Sequence, residues 1–279
     1  MQTIQYPLLV ENTLTRVIEA GNGPAVVFVH GLGARCDRWS GTVSRIGAAG
    51  YRAVTFDLPG HGLAAKGDPQ APGDVPGMAR YLIALLDTLG IEKAVLVGTS
   101  LGGHICAYAA TLITERVPGV MLVGALGIAP LGLEAAQGIQ RSVKATSREE
   151  IQAKLKFVIA DEALVTEALI DEEWRVNNSP GANVSFVRMG NYVVDGLHND
   201  YVAKELAALY PADKLRLVWG AQDIAVPVSV GEQCRELLGG APLLLIEGAA
   251  HAPYFEKPAA FDPLLLEFLG SLSSGAPHA

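Results

Sequence analysis

Three side-chain types that together can turn an inert alcohol into a nucleophile occur in this chain in the order Ser100, Asp223, His251. A serine hydroxyl attacks poorly near neutral pH, so a neighbouring imidazole, with an intrinsic pKa of about 6.5, must take its proton as the new bond forms. A carboxylate behind the ring would hold its tautomer and stabilise the imidazolium. Such a trio predicts an acyl-serine intermediate that is released to water activated by the same histidine. Ser100 lies in Gly98-Thr99-Ser100-Leu101-Gly102, the G-x-S-x-G spacing of a strand-to-helix elbow that lifts the hydroxyl off the end of a sheet. Each residue also has a plainer reading: the serine as a helix cap, the aspartate as a turn former and the histidine as a surface residue. Their positions relative to the strands favour the catalytic reading.

Ala94-Val95-Leu96-Val97 reads as a buried strand, and the apolar helix through Ile105, Ala107 and Tyr108 follows the glycine turn. Asp223 comes just after the strand Leu215-Arg216-Leu217-Val218-Trp219-Gly220, and His251 just after Pro242-Leu243-Leu244-Leu245-Ile246. Side chains leaving adjacent strand ends can converge on the elbow. Upstream, Ala25-Val26-Val27-Phe28-Val29-His30 is a further strand, ending in Gly31-Leu32-Gly33. Its loop offers the backbone N–H of Leu32, beside that of Leu101, to the developing oxyanion; losing one such donor typically costs about 10²–10³ in rate. The same glycines could open a dinucleotide-binding fingerprint with Asp57 on a ribose, but Cys36 stands where its third glycine belongs.

The rest of the chain supplies the frame. Weak alternation up to Gly21 suggests an antiparallel edge pair, and Arg52-Ala53-Val54-Thr55-Phe56 and Val120-Met121-Leu122-Val123 are further buried strands. Strands alternating with helices predict an α/β fold: a mostly parallel sheet covered on both faces, with the active groups at the strands' C-terminal edge. Core segments are expected over 1–126 and 202–279. Between them, 127–201 shows helical patterning and no buried strand, as expected of an inserted helical cap. An amphipathic helix from Pro258 to Leu272 precedes a tail, Ser273 to Ala279, expected to be disordered.

Composition narrows the function. The 279 residues carry a net charge of −8 with no basic cluster, which argues against nucleic acid. No apolar run reaches the roughly 18 residues of a membrane span, and the N-terminus has no basic-then-apolar leader, so a cytoplasmic protein is expected. Cys36, Cys106 and Cys234 are widely scattered, and neither they nor the histidines have metal-ligand spacing. A small-molecule substrate without cofactor or metal is therefore the expectation, and a homodimer is left open. Of the other histidines, His30 and His61 are expected to stabilise their loops, His104 to pack behind Ser100, His198 to lie at the surface with substrate contact as its alternative, and His278 to belong to the tail.

Taken together, His30-Gly31-Leu32-Gly33, Asp57-Leu58-Pro59-Gly60-His61-Gly62, Gly98 to Gly103, Asp223 with Pro227, and His251 with Glu256-Lys257-Pro258 resemble the α/β-hydrolase superfamily over essentially the whole chain. The stretch from Phe157 through Trp174-Arg175-Val176-Asn177-Asn178 looks like the cap of the meta-cleavage-product hydrolases, which cut a carbon–carbon bond beside a ketone. That resemblance implies that Arg175, within one position of the subfamily's cap arginine, binds a substrate carboxylate or dienol. Three features depart from the subfamily: the oxyanion loop lacks Gly-Pro-Gly, Ala252 replaces the tryptophan after the histidine, and Thr99 replaces the asparagine before the serine. The broader expectation is thus hydrolysis of a small ester or lactone. Carbon–carbon cleavage and a ligand receptor retaining the triad are the alternatives. Phe157, Trp174, Tyr192 and Tyr254 are expected pocket walls.

Overall fold

A computed structural model describes residues 1–273; the expected tail beyond Ser273, with His278, lies outside the described residues. One eight-stranded sheet runs in the order β1-β2-β4-β3-β5-β6-β7-β8. The strands are β1 (Ile4–Val10), β2 (Thr13–Ala20), β3 (Ala25–Val29), β4 (Arg52–Phe56), β5 (Ala94–Thr99), β6 (Val120–Val123), β7 (Leu215–Gly220) and β8 (Leu243–Ile246). Pairing is antiparallel from β1 to β2 and from β2 to β4, and parallel from β4 through β8. All six residues of β5 are buried, as are the four of β6. Burial on both faces is why these strands read as unbroken apolar runs rather than as alternation.

Two helical layers cover the sheet. On one face lie α2 (Val75–Thr88), α3 (Leu101–Leu112), α8 (Ala203–Leu209) and α9 (Val228–Leu237), whose Leu82, Ile105, Leu206 and Cys234 share a core with Val27, Leu96 and Leu217. On the other lie α1 (Ser40–Ala48), the single turn α10 (Pro253–Glu256) and α11 (Pro258–Ser273); Ile46, Tyr254 and Phe268 pack there against Phe28 and Val97. The start of α2 is encoded locally, because Asp74 accepts the Gly77 N–H at 2.7 Å and Pro76 removes a donor the first turn cannot use.

Between β6 and β7 the chain forms α4 (Leu133–Val143), α5 (Arg148–Val158), α6 (Glu167–Asn177) and α7 (Ala182–Asp195). Helix α5 opens on a capping box in which Ser147 accepts the Glu150 N–H and Glu150 reaches back to the Ser147 N–H. Ile151, Leu155, Ile159 and Ile170 form a small core of this insertion's own. No helix among the described residues is long and apolar enough to cross a membrane.

Candidate active site

The path from β5 into α3 forces Ser100 into φ 55°, ψ −124°, a left-handed conformation that costs a non-glycine residue of order 1–3 kcal/mol. The flanking glycines make that turn sterically feasible. A Cβ on Gly98 would stand 2.2 Å from the Gly102 carbonyl oxygen, and one on Gly102 would stand 2.4 Å from the carbonyls of Val29 and His30. The Ser100 backbone is secured by its N–H on the Val123 carbonyl at 2.9 Å and by its own carbonyl, which accepts the N–H groups of Gly103 and Leu126.

His251 follows β8, and its ring is oriented from behind. The Asp223 carboxylate lies 2.7 Å from Nδ1 through Oδ2, while Oδ1 accepts the N–H groups of Ala225 and Val226 at 2.9 Å each. With an acceptor-only partner at Nδ1, that nitrogen carries the proton and Nε2 keeps a free lone pair in the neutral ring. Burial works to lower the His251 pKa, but the charge and hydrogen bond of Asp223, with the charge of Glu256, hold it above its ordinary value. Glu256 also fixes the loop, accepting the N–H groups of Ala250 and Ala252 on one oxygen and that of Ala160 on the other. The His251 N–H donates to Val158 at the end of α5, so the insertion steadies the loop that carries the imidazole.

Ser100 and His251 line one cavity, whose other walls include residues of the insertion. No hydrogen bond joins the Ser100 hydroxyl to His251 among the described residues; the shared wall brings them together. The loop Gly31–Ala34 lines the same space, with the Ala34 N–H turned back onto the Gly31 carbonyl at 3.2 Å. His30 braces this loop, with Nδ1 2.8 Å from the Gly31 carbonyl and Nε2 accepting the Leu58 N–H. Burial lowers its pKa, consistent with a neutral ring serving both bonds. Leu101 opens α3, where a helix leaves backbone N–H groups without intrahelical partners. The site therefore has a serine on a strained backbone, an oriented imidazole and the loop Gly31–Ala34 along one concave wall.

The expected pocket walls separate into two groups. Phe157 and Tyr254 line the cavity, Tyr254 stacked on Trp39 at 3.5 Å between ring centroids. Arg175, Trp174 and Tyr192 do not. Helix α6 buries the face carrying Ile170, Glu173 and Asn177, which turns Arg175 outward to solvent. Trp174 packs on the insertion's own core, and the Tyr192 hydroxyl is taken up by Asp200 at 2.6 Å. Asp57, the ribose ligand of the dinucleotide reading, is buried and occupied by Arg16 and by the N–H groups of Cys36 and Leu63, so that reading falls away.

Sequence reasoning missed a charged cluster in the cavity wall. Lys154 donates to the Gly33 carbonyl and to Glu173, both at 2.7 Å, and Arg38 donates to the second Glu173 oxygen at 3.0 Å. Burial works to raise the Glu173 pKa, but the charges of Lys154, Arg38 and Arg35 hold it down at about 2. The available signal was a charged residue set at helical spacing within an apolar stripe: Lys154 beside Ile151, Leu155 and Val158, and Glu173 three residues after Ile170.

The family profile described as alpha/beta hydrolase fold matches residues 24–258. The chain belongs to that family. Among its relatives, a 2-hydroxy-6-oxo-6-phenylhexa-2,4-dienoate hydrolase of Burkholderia cepacia is 29% identical over 264 residues, covering 91% of this chain and 90% of the relative. The dihydrolipoyllysine-residue acetyltransferase component of an acetoin cleaving system from Pseudomonas putida is also 29% identical, over 260 residues. That match covers 92% of this chain but only 66% of the longer relative. A solved 2-hydroxy-6-oxo-6-phenylhexa-2,4-dienoate hydrolase from Rhodococcus sp. strain RHA1 superposes with a TM-score of 0.86 at 20% identity, covering 96% and 99% of the two chains. The family, the sheet order and these relatives agree on the α/β-hydrolase fold.

Proposed function

We propose that this α/β-hydrolase is a cofactor-independent serine hydrolase of small carboxylic esters or lactones. Ser100 attacks the carbonyl, His251 takes its proton and later activates water, and Asp223 holds the ring and stabilises the imidazolium. The N–H groups of Leu32 and Leu101 stabilise the oxyanion. One observation carries the reading: a serine held in a strained elbow shares a cavity wall with a histidine whose Nδ1 is 2.7 Å from a buried carboxylate. Steady-state hydrolysis of 4-nitrophenyl butyrate provides the test. Measurable turnover that falls about 10⁴–10⁶-fold in Ser100→Ala supports it. Retention of most of the activity by the alanine variant removes it.

A second reading keeps the residues and changes the bond to a carbon–carbon bond beside a ketone. The Burkholderia cepacia relative favours it. The outward Arg175 does not, because the positive charge expected from the cap is exposed to solvent instead of facing the cavity. Faster turnover of a 2-hydroxy-6-oxohexa-2,4-dienoate than of any simple ester would make this the primary reading.

A further inference from the structure

The charged groups beside the Ser100 cavity are taken up by one another: Lys154 and Arg38 by Glu173, and Arg35 by Glu172 and Asp37. Two hydroxyls close to the nucleophile are not. Thr99, the last residue of β5, lines the cavity and is 3% exposed, and its Oγ1 is buried without a hydrogen-bond partner among the described residues. A β-branched residue suits the end of a buried strand, but valine would serve there as well, and a buried hydroxyl left unpaired is destabilising. The second hydroxyl belongs to Tyr254, which lines the same cavity and whose ring is fixed by its stack on Trp39, 3.5 Å between centroids and 11° between planes. Burial raises the pKa of this phenol, so it keeps its proton, and the Thr99 hydroxyl is close enough to act on it.

The places of the two residues in the chain locate the pair. Thr99 immediately precedes Ser100, and Tyr254 follows His251 on α10, so the hydroxyls bridge the elbow and the loop that carries the base. In the proposed reaction His251 gives a proton to the leaving group and then takes one from water at the same Nε2, so water enters on the side the leaving group has vacated. A water held there needs both a donor and an acceptor, and two hydroxyls supply them.

We propose that Thr99 and Tyr254 seat the water that deacylates Ser100. The water oxygen attacks the acyl carbonyl carbon while one of its protons passes to His251 Nε2. The intermediate then expels Ser100 Oγ, which takes that proton back, and the carboxylic acid leaves. This rests on Ser100 being the nucleophile.

Single-turnover kinetics with 4-nitrophenyl butyrate separate the two steps: nitrophenolate release reports acylation, and rapid acid quench followed by intact-mass analysis reports decay of the butyryl adduct on Ser100. Thr99→Val keeps the side chain's shape and deletes the hydroxyl. It should slow adduct decay by about 10-fold, the scale of one lost hydrogen bond, and nitrophenolate release by less than about threefold. Tyr254→Phe, which keeps the ring that stacks on Trp39, should show the same selective loss, and Thr99→Ser should recover most of the Thr99→Val effect. A general loosening of the site would slow both steps alike, and that result overturns the proposal; so does adduct decay at the wild-type rate in either variant. Should Thr99→Val not fold, Tyr254→Phe decides alone. Failure of the underlying reading looks different: neither wild type nor variant carries an adduct, and Ser100 takes no fluorophosphonate label.

Discussion

The two walls of the cavity are built on opposite principles. On the core side, Ser100 and His251 leave the ends of buried strands, and backbone contacts permit little freedom: the carbonyls of Val29, His30 and Gly102 exclude any side chain at Gly98 and Gly102. On the insertion side, the polar groups are Lys154 on α5 and Glu173 on α6, which pair with each other and reach across to the Gly33 carbonyl and to Arg38. Strain concentrates where the chemistry must be placed accurately, while the opposing wall is assembled from side-chain ion pairs whose identity can change without rebuilding the sheet. Under the proposed mechanism, the bond-breaking residues belong to the scaffold and selectivity to what is laid over it.

Mutations should therefore have different consequences on the two sides. The largest is expected at the core rim. Asp223→Asn removes the charge that lifts the His251 pKa and disturbs the tautomer, and kcat should fall about 10⁴-fold. The pH profile adds a signed test. Catalysis needs neutral His251, so kcat/KM should rise with pH through a limb above the ordinary imidazole pKa, and Asp223→Asn should move that limb downward. A limb unchanged by the substitution would separate Asp223 from the base and blur the contrast between the walls.

On the other side, Lys154→Met should act mainly on stability. Removing one partner of a buried ion pair typically costs about 3–5 kcal/mol, measurable by urea unfolding, and adding Glu173→Gln should return part of it. The sign for Glu173 follows from its lowered pKa. Its ionised form stabilises the fold fully above its ordinary value, and that contribution is lost as pH falls toward about 2. The smallest effect belongs to Arg175→Gln. With the side chain exposed, stability should change by less than about 0.5 kcal/mol and turnover by less than about twofold. A large loss there would return substrate recognition to the cap.

The same contrast sets what the sequence could reveal. The elbow was legible because its geometry requires glycine at fixed offsets from the serine, and Asp223 and His251 were legible because each follows an unmistakable apolar strand. The sheet was readable for the same reason: doubly buried strands leave runs such as Ala94-Val95-Leu96-Val97. The insertion's inner face was not. Helical periodicity located α5 and α6, but the substrate-facing side depends on how the helices settle against the core. Trp174 and Arg175, prominent in sequence, turned away, whereas Lys154 and Glu173 are buried in the wall. Arg38 sits in the one-turn segment Cys36–Trp39 after the loop Gly31–Ala34, where no periodicity marks it.

Central to this account is that Ser100, and no other group, becomes acylated at the cavity. Intact-mass analysis after exposure to a fluorophosphonate tests that claim most directly. One adduct per chain on wild type, absent from Ser100→Ala, is the predicted result; an unlabelled wild type, or an alanine variant labelled to the same extent, would contradict it.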